Sequence, residues 1–177
     1  MKKNKILYVG NNLTKKTNYA TSMDILSNLL TSEGFTIYKS SSKSNKMLRL
    51  LEMCFTIISF RTKFDYVLID TYSTSNFYYA FITSQLCRIF NLRYLPILRG
   101  GNLPYRLEQN PTLSSLIFNN SFQNIAPSGY LKHEFEIKGY TTLLIPNVIP
   151  IIKYNFKNRL RLLPKLLYVR SFAKIYN

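Results

Sequence analysis

The sequence is short of several residue types that common functional sites require. It contains one histidine, His133, and two cysteines, Cys54 and Cys87, which have neither CxxC nor metal-like spacing. Most histidine-based metal sites are therefore excluded. The lack of a GxSxG motif or a Cys–His motif leaves nucleophilic catalysis with little support. His133 lies in a polar, helix-like stretch, which predicts a surface position rather than a catalytic one.

Acidic residues are also scarce. The 177 residues include 24 lysines and arginines but only 8 aspartates and glutamates, which gives a formal net charge of +16. Such an excess favours an anionic partner, whether nucleic acid, anionic lipid or a phosphorylated small molecule. A lysine-rich proteome, or a fragment without its acidic half, would explain the charge equally well, so both interpretations stay open.

Long apolar runs are missing as well. None approaches the roughly 18 residues that a membrane-spanning helix needs, and the run 6–9 is too short for a secretion signal. Two isolated thiols suit a reducing compartment. We therefore expect a cytoplasmic protein. Its composition, 46% hydrophobic and 18% charged, is that of a globular domain with a sizeable core.

Short apolar segments alternate with helical periodicity along the chain. Strands are predicted at 6–10, 35–38, 65–70, 94–98, 124–126 and 142–145, and helices at 23–33, 46–60, 74–91, 112–119 and 128–138. This alternation predicts an α/β fold with a doubly wound parallel sheet. Pro96 indicates that the fourth strand lies at an edge or that the proline marks a strand end. Residues 99–104 are predicted to be a loop.

The predicted helix 46–60 allows two interpretations. Its apolar residues share one broad face and basic residues flank it. The apolar face could pack into the core while the basic residues face solvent. Alternatively, the helix could rest on an anionic bilayer through its basic flanks.

Three predicted strands end in residues that could form a binding site. Because ligands bind beyond the carboxyl ends of parallel strands, these loops should meet at one edge of the sheet. They are Gly10-Asn11, Asp70-Thr71-Tyr72 and Arg99-Gly100-Gly101-Asn102. Glycine would allow close approach of the backbone to a phosphate, and Arg99 offers a planar fork for phosphate or carboxylate. Paired acid–base carboxylates are not evident.

A series of segments resembles the N-terminal domain of a family 4 glycosyltransferase of the GT-B fold. The order and spacing match that family over nearly the whole chain. The segments are Tyr94-Leu-Pro-Ile-Leu-Arg-Gly-Gly-Asn-Leu-Pro104, Ala126-Pro-Ser-Gly-Tyr-Leu-Lys132, Phe135-Glu-Ile-Lys-Gly-Tyr140, Ile145-Pro-Asn-Val-Ile-Pro150 and Leu166-Leu-Tyr-Val-Arg170.

The resemblance implies transfer of a sugar, with retention and without a metal or other cofactor, from a nucleotide sugar to a glycan or lipid-linked acceptor. It assigns Gly10 and Asn11 to the loop near the donor phosphates. It assigns acceptor binding to Thr71, Tyr72, Gly100, Gly101 and Asn102, and an electrostatic, catalytic role to Arg99. Arg99 stands where many relatives have a histidine and cannot act as a base. A second histidine that is common near Thr71 is also lacking.

The resemblance further implies two parts in this chain. Residues 1–150 would form the Rossmann-like acceptor-side domain, and 151–177 the linker and first strand of a truncated donor-binding domain. Because transfer needs donor and acceptor in one cleft, we expect no transferase activity from this chain alone. A separate polypeptide carrying the C-terminal half is then an expected partner. The alternatives are a non-catalytic partner of a glycosyltransferase and a basic nucleic-acid-binding module, although no nucleic-acid-binding motif is found.

Overall fold

The computed structural model describes residues 4–10, 21–40, 43, 45–148 and 158. The strands in this part of the chain are β1 (Lys5–Val9), β2 (Thr36–Ser40), β3 (Tyr66–Tyr72), β4 (Arg93–Arg99), β5 (Asn124–Ala126) and β6 (Thr142–Leu144). The helices are α1 (Ser22–Ser32), α2 (Lys46–Phe60), α3 (Asn76–Ile89), α4 (Leu103–Gln109), α5 (Pro111–Phe118) and α6 (Gly129–Glu136). The predicted linker and strand in 151–177 lie outside the described residues, apart from Asn158.

The six described strands form one parallel sheet in the order β2-β1-β3-β4-β5-β6. The predicted doubly wound parallel α/β fold is therefore confirmed. The chain moves outward from β1 to β2 and then returns to place β3 on the other side of β1. This reversal of direction creates a topological switch point between β1 and β3, the usual position of a ligand in such sheets.

Local sequence signals explain where the helices begin. Thr21 and Asp24 form a reciprocal capping box at the start of α1. The Asn45 side chain accepts hydrogen bonds from the first turn of α2, and Ser128 does the same for α6. Each cap satisfies backbone N–H groups that would otherwise have no partner at a helix start.

The two faces of the sheet are covered differently in the described part of the chain. Helices α2 to α6 pack on one face, here called the five-helix face, where two apolar clusters lie. Helix α1 packs on the opposite face, the α1 face, where Met23 and Leu26 join an apolar cluster that contains Ile6, Tyr8 and Ile97. Because side chains alternate along a strand, the same strands supply both faces.

Two predictions about residues 94–109 are wrong. First, α4 begins at Leu103, within the predicted loop 99–104; Pro104 is tolerated because it stands in the first helical turn. Second, Pro96 lies inside β4, a central strand. The Tyr94 carbonyl accepts a hydrogen bond from Phe122 N at 2.9 Å. The backbone N–H and C=O positions of alternate residues of β4, including Pro96, therefore point towards β5. Strand β5 is short and pairs with β4 only at Ile97 and Ile125. The N–H group that Pro96 lacks is therefore a small loss to the stability of the sheet.

The core-packing interpretation of helix 46–60 is also wrong for most of its apolar residues. The side of α2 that faces the sheet carries Arg49, Met53 and Ile57, which are buried. Six other apolar residues of α2 are exposed: Met47, Leu48, Leu51, Phe55, Ile58 and, at the last position, Phe60. A search of the described residues finds no helix with the length and apolar character needed to cross a membrane.

Candidate functional site

Three side chains from three strands meet at the carboxyl edge of the sheet, on its α1 face. Asp70 Oδ1 accepts hydrogen bonds from Tyr8 Oη and Arg99 Nε, both at 3.0 Å. Arg99 Nη2 donates to Tyr8 Oη at 3.1 Å, which closes the triangle. All three residues are less than 10% exposed. We call them the Tyr8–Asp70–Arg99 cluster.

The Arg99 guanidinium also reaches the segment that follows β6. Its Nη1 donates to Asn147 Oδ1 at 2.7 Å, so each of its three nitrogen atoms binds a different residue. One side chain thereby connects β1, β3 and β4 to the segment 146–147. A lysine could not reproduce this arrangement, because it lacks the planar fork of donors.

Burial and mutual attraction determine the charges of the cluster. Burial raises the pKa of Asp70, while the Arg99 charge and the hydrogen bonds from Arg99 and Tyr8 act to lower it. Burial acts to lower the pKa of Arg99, but Asp70 and Tyr8 raise it on balance. Burial, followed by the Asp70 charge, raises the pKa of Tyr8 well above its usual range. The 3.0 Å contact between Asp70 and Arg99 is a buried ion pair, and it lies beside a phenol that burial keeps protonated.

The Asp70 carboxylate explains why residue 10 is glycine. A Cβ atom on Gly10 would lie 2.7 Å from Asp70 Oδ2 and 3.1 Å from its Cγ. The ion pair with Arg99 holds the carboxylate in place, so it could not move aside without breaking the cluster. Gly10 thus permits close packing of the backbone at the end of β1 against Asp70 of β3, and its predicted role near donor phosphates stays a prediction.

A cavity of about 90 Å³ opens beside Arg99 on the α1 face. Its polar edge is formed by Arg99 and Asn147, and Ser22 contributes the start of α1. The remaining walls are apolar and come from α1, β4, β5 and the end of β6: Ile25, Leu26, Ile97, Ile125, Pro127, Ile145, Pro146 and Val148. An apolar cavity with a few convergent polar groups is the usual form of a small-molecule site.

The other predicted site residues lie at the same edge but differ in exposure. Thr71 is fully buried, and its hydroxyl donates to the Ile69 carbonyl at 3.2 Å. Tyr72 is half-buried, and burial, followed by the Asp70 charge, raises its pKa. Gly100, Gly101 and Asn102 are exposed between β4 and α4. Gly100 has a φ of 93°, which favours glycine.

Asn11 lies outside the described residues. The acceptor-binding and catalytic roles assigned by resemblance stay predictions for all of these positions. His133 is exposed on α6, as its polar surroundings predicted. Among the described residues, no group of three or more His, Cys, Asp and Glu side chains could hold a metal ion.

Sequence reasoning missed Tyr8 and Asn147. Tyr8 lies in a continuous apolar run, where nothing distinguishes its hydroxyl from the neighbouring core residues. Asn147 lies 48 positions from Arg99 and carries no signal beyond its turn composition. The pairing of Asp70 with Arg99 did have a signal, because two buried strands end in opposite charges and burial of a charge requires a partner.

Comparison with protein-family models finds no match to this chain, and comparison with characterised proteins finds none either.

Proposed function

We propose that this chain is the acceptor-binding part of a retaining glycosyltransferase. The observation that carries the proposal is the cavity beside Arg99, at the carboxyl edge of a doubly wound parallel sheet. Parallel sheets of this kind bind ligands at that edge. The resemblance of segments 94–104 and 145–150 to family 4 glycosyltransferases supplies the class of reaction.

The size of the cavity favours part of an acceptor, rather than a complete nucleotide sugar, as its ligand. At about 90 Å³ it suits a single small group, whereas whole-ligand sites are several times larger, about 300–1,000 Å³. Its apolar walls would contact the carbon face of a sugar or the first carbons of a lipid. Arg99 and Asn147 would hydrogen-bond to an oxygen atom at the cavity edge.

The described site residues favour binding and electrostatics over proton transfer. Asp70 is held in an ion pair, Tyr8 stays protonated, and Arg99 cannot accept a proton. Arg99 would act as a fixed positive charge that stabilises the phosphate oxygen released when the bond from the sugar to the nucleotide breaks. The nucleotide sugar itself would be held largely by a second polypeptide segment.

Saturation-transfer NMR with a panel of simple glycosides and short lipid-linked sugars tests this binding role. We expect at least one glycoside to contact the cavity, with signals that disappear in Ile125→Phe, a variant that fills the cavity. Ile137→Phe is the matched control, because Ile137, which follows α6, is 60% exposed and away from the cavity lining. Absence of any glycoside contact, or contacts equal in the two variants, would contradict the proposal.

An activity measurement tests whether this chain binds only the acceptor while a second polypeptide binds the donor. We expect the purified 177-residue chain to transfer no sugar from UDP- or GDP-linked donors. Addition of a polypeptide that supplies a donor-binding domain should produce transfer with retained anomeric configuration, since both substrates then share one cleft. Sugar transfer by the chain alone would refute this division.

A second candidate is a non-catalytic partner that binds and regulates a separate glycosyltransferase. The observation that favours it is the same closed cluster, in which Asp70 and Arg99 neutralise each other. Under this candidate, Arg99→Met would change the affinity for the partner enzyme while leaving the partner's own turnover intact. Under the main proposal, the same variant would abolish transfer by the reconstituted pair.

A further inference from the structure

Helix α2 presents an apolar surface to solvent. Met47, Leu48, Leu51, Phe55 and Ile58 are between 41% and 68% exposed. We call these five residues the outer stripe of α2. At 100° per residue they fall within about one third of the helix circumference. They therefore form a continuous stripe rather than isolated apolar residues of the kind that most surfaces carry.

The outer stripe is not part of the core. On the opposite side of α2, Met53 and Ile57 already pack into the apolar cluster formed with the sheet and α3. Helix α2 thus has apolar side chains on two sides, and only one of these sides packs into the core. An exposed apolar stripe of this length marks an interaction surface.

Basic residues lie at both ends of the helix that carries the outer stripe. Lys43 and Lys46 lie at the start of α2, and Arg61 and Lys63 lie at its end, all four exposed. The acid in this stretch, Glu52, is half-buried and accepts a hydrogen bond from the Lys43 backbone N–H at 3.3 Å. The surface therefore combines apolar side chains with positive charge at both ends.

We propose that the outer stripe of α2 docks onto the surface of an anionic lipid bilayer. The five apolar side chains would enter the layer between headgroups and acyl chains, and the flanking lysines and arginine would contact lipid phosphates. The net charge of +16 adds a long-range attraction to such a surface. A partner protein would need an acidic rim matched to both ends of the helix, whereas an anionic bilayer presents negative charge everywhere.

This proposal is independent of the glycosyltransferase proposal. Helix α2 covers the five-helix face of the sheet, and the cavity beside Arg99 opens on the α1 face. A failure of vesicle binding would leave glycoside binding in the cavity unaffected, and the converse also holds.

Vesicle flotation of the full chain tests the proposal. We expect it to float with phosphatidylglycerol vesicles but not with phosphatidylcholine vesicles, and to be released by high salt. The double variant Leu51→Ser/Phe55→Ser should weaken partitioning by about 100-fold, because two inserted side chains are lost. Neutralising Lys46 or Lys63 with glutamine should weaken it by about fivefold each. Ile137→Ser, at an exposed apolar position just after α6, should float like the wild type.

Three results would overturn the proposal. The first is the absence of binding to anionic vesicles by the wild-type chain. The second is equal binding by the wild type and the Leu51→Ser/Phe55→Ser variant. The third is a lipid-free dimer, measured by sedimentation, that this variant dissociates, because the stripe would then be covered by a second copy of the chain. Circular dichroism and the urea midpoint would establish that the variant is folded.

Discussion

The two faces of the sheet differ in chemistry although the same strands form both. On the five-helix face, Val9, Ile69 and Leu98 pack into clusters that are almost entirely apolar. One residue away along the same strands, the α1 face carries Tyr8, Asp70 and Arg99, together with a cavity. Alternation of side chains along a strand is sufficient to separate the two environments.

This difference indicates a division of tasks between the faces. Close-packed apolar clusters contribute most of the stability of a domain. The α1 face contains a buried ion pair, which contributes little net stability relative to apolar residues of similar size. We infer that the five-helix face stabilises the fold and that the α1 face is where specific binding can occur.

The largest expected effect is on the five-helix face. Phe135 is fully buried and meets Phe118 edge-on, with ring centroids 4.9 Å apart. We expect Phe135→Ala to lower the free energy of unfolding by about 4 kcal/mol, because it removes a large side chain and leaves a void. Leu26→Ala, at a half-buried position that borders the cavity, should cost about 1–2 kcal/mol. Urea denaturation measures the free energy of unfolding of both variants. Equal losses would contradict the proposed difference between the two faces.

The next effect is on the α1 face. Asp70→Ala leaves Arg99 buried without its carboxylate, so we expect a loss of about 3 kcal/mol in urea denaturation. Replacing both partners, as Asp70→Leu/Arg99→Met, should recover much of that loss, because no uncompensated charge remains. The control is Glu108→Ala, which removes an exposed ion pair with Lys138 and should cost less than about 0.5 kcal/mol. If Asp70→Ala cost no more than this control, the cluster would have no structural role.

A smaller effect is expected at Gly10. The Cβ atom of Gly10→Ala would collide with the Asp70 carboxylate, and we expect a loss of about 2 kcal/mol. Gly129 provides the matched control, since a Cβ there would meet no atom within 4 Å. Because Gly129 is the first residue of α6, alanine there should be neutral or slightly stabilising. Thermal unfolding that ranks the two variants in the opposite order would contradict the close packing of Gly10 on Asp70.

Per unit of pH, the smallest effect is a pH dependence of stability to which both faces contribute. Burial raises the pKa of Cys87, on the five-helix face, from 9.0 to about 12. The folded chain keeps this proton while the unfolded chain releases it. Stability should therefore fall as the pH rises from 9 towards 12, by at most about 1.4 kcal/mol per pH unit. Tyr8, on the α1 face, has its pKa raised in the same direction and should add to this fall above pH 10.

Two variants separate these contributions. Cys87→Ala should flatten the stability profile from pH 9 upward, and Tyr8→Phe should flatten it only above pH 10. Urea denaturation at half-unit pH intervals measures the slopes. Parallel profiles for the wild type and both variants would mean that neither proton is held more tightly in the folded state.

The sequence predicted the architecture well, because burial and periodicity are local signals. The apolar runs at 6–9 and 65–70, closed by a glycine and an aspartate, became β1 and β3 of a parallel sheet. The cap Ser128 and the glycine at 139 bracketed α6 as expected. Where a local signal was ambiguous, tertiary contacts determined the structure. Pro96 is tolerated in a central strand because the neighbouring strand β5 is short.

The candidate site was predicted only in part. The meeting of Asp70 and Arg99 at one edge follows from their places at two strand ends. The contribution of Tyr8 does not, because its hydroxyl lies inside an apolar run and its partners are 62 and 91 positions away. The outward direction of Leu51 and Phe55 on α2 was equally hidden, since a helix that is apolar on both sides does not reveal which side faces the core.

The sequence alone determined the order of strands and helices and therefore a parallel sheet whose strand ends meet at one edge. Alternating apolar segments, caps and glycines carry that information within a few residues of each other. Tertiary structure alone decided that Arg99 also binds Tyr8 and Asn147, and that one side of α2 faces solvent. These outcomes depend on strand register and on which surfaces reach each other, and residues far apart in the chain set them jointly.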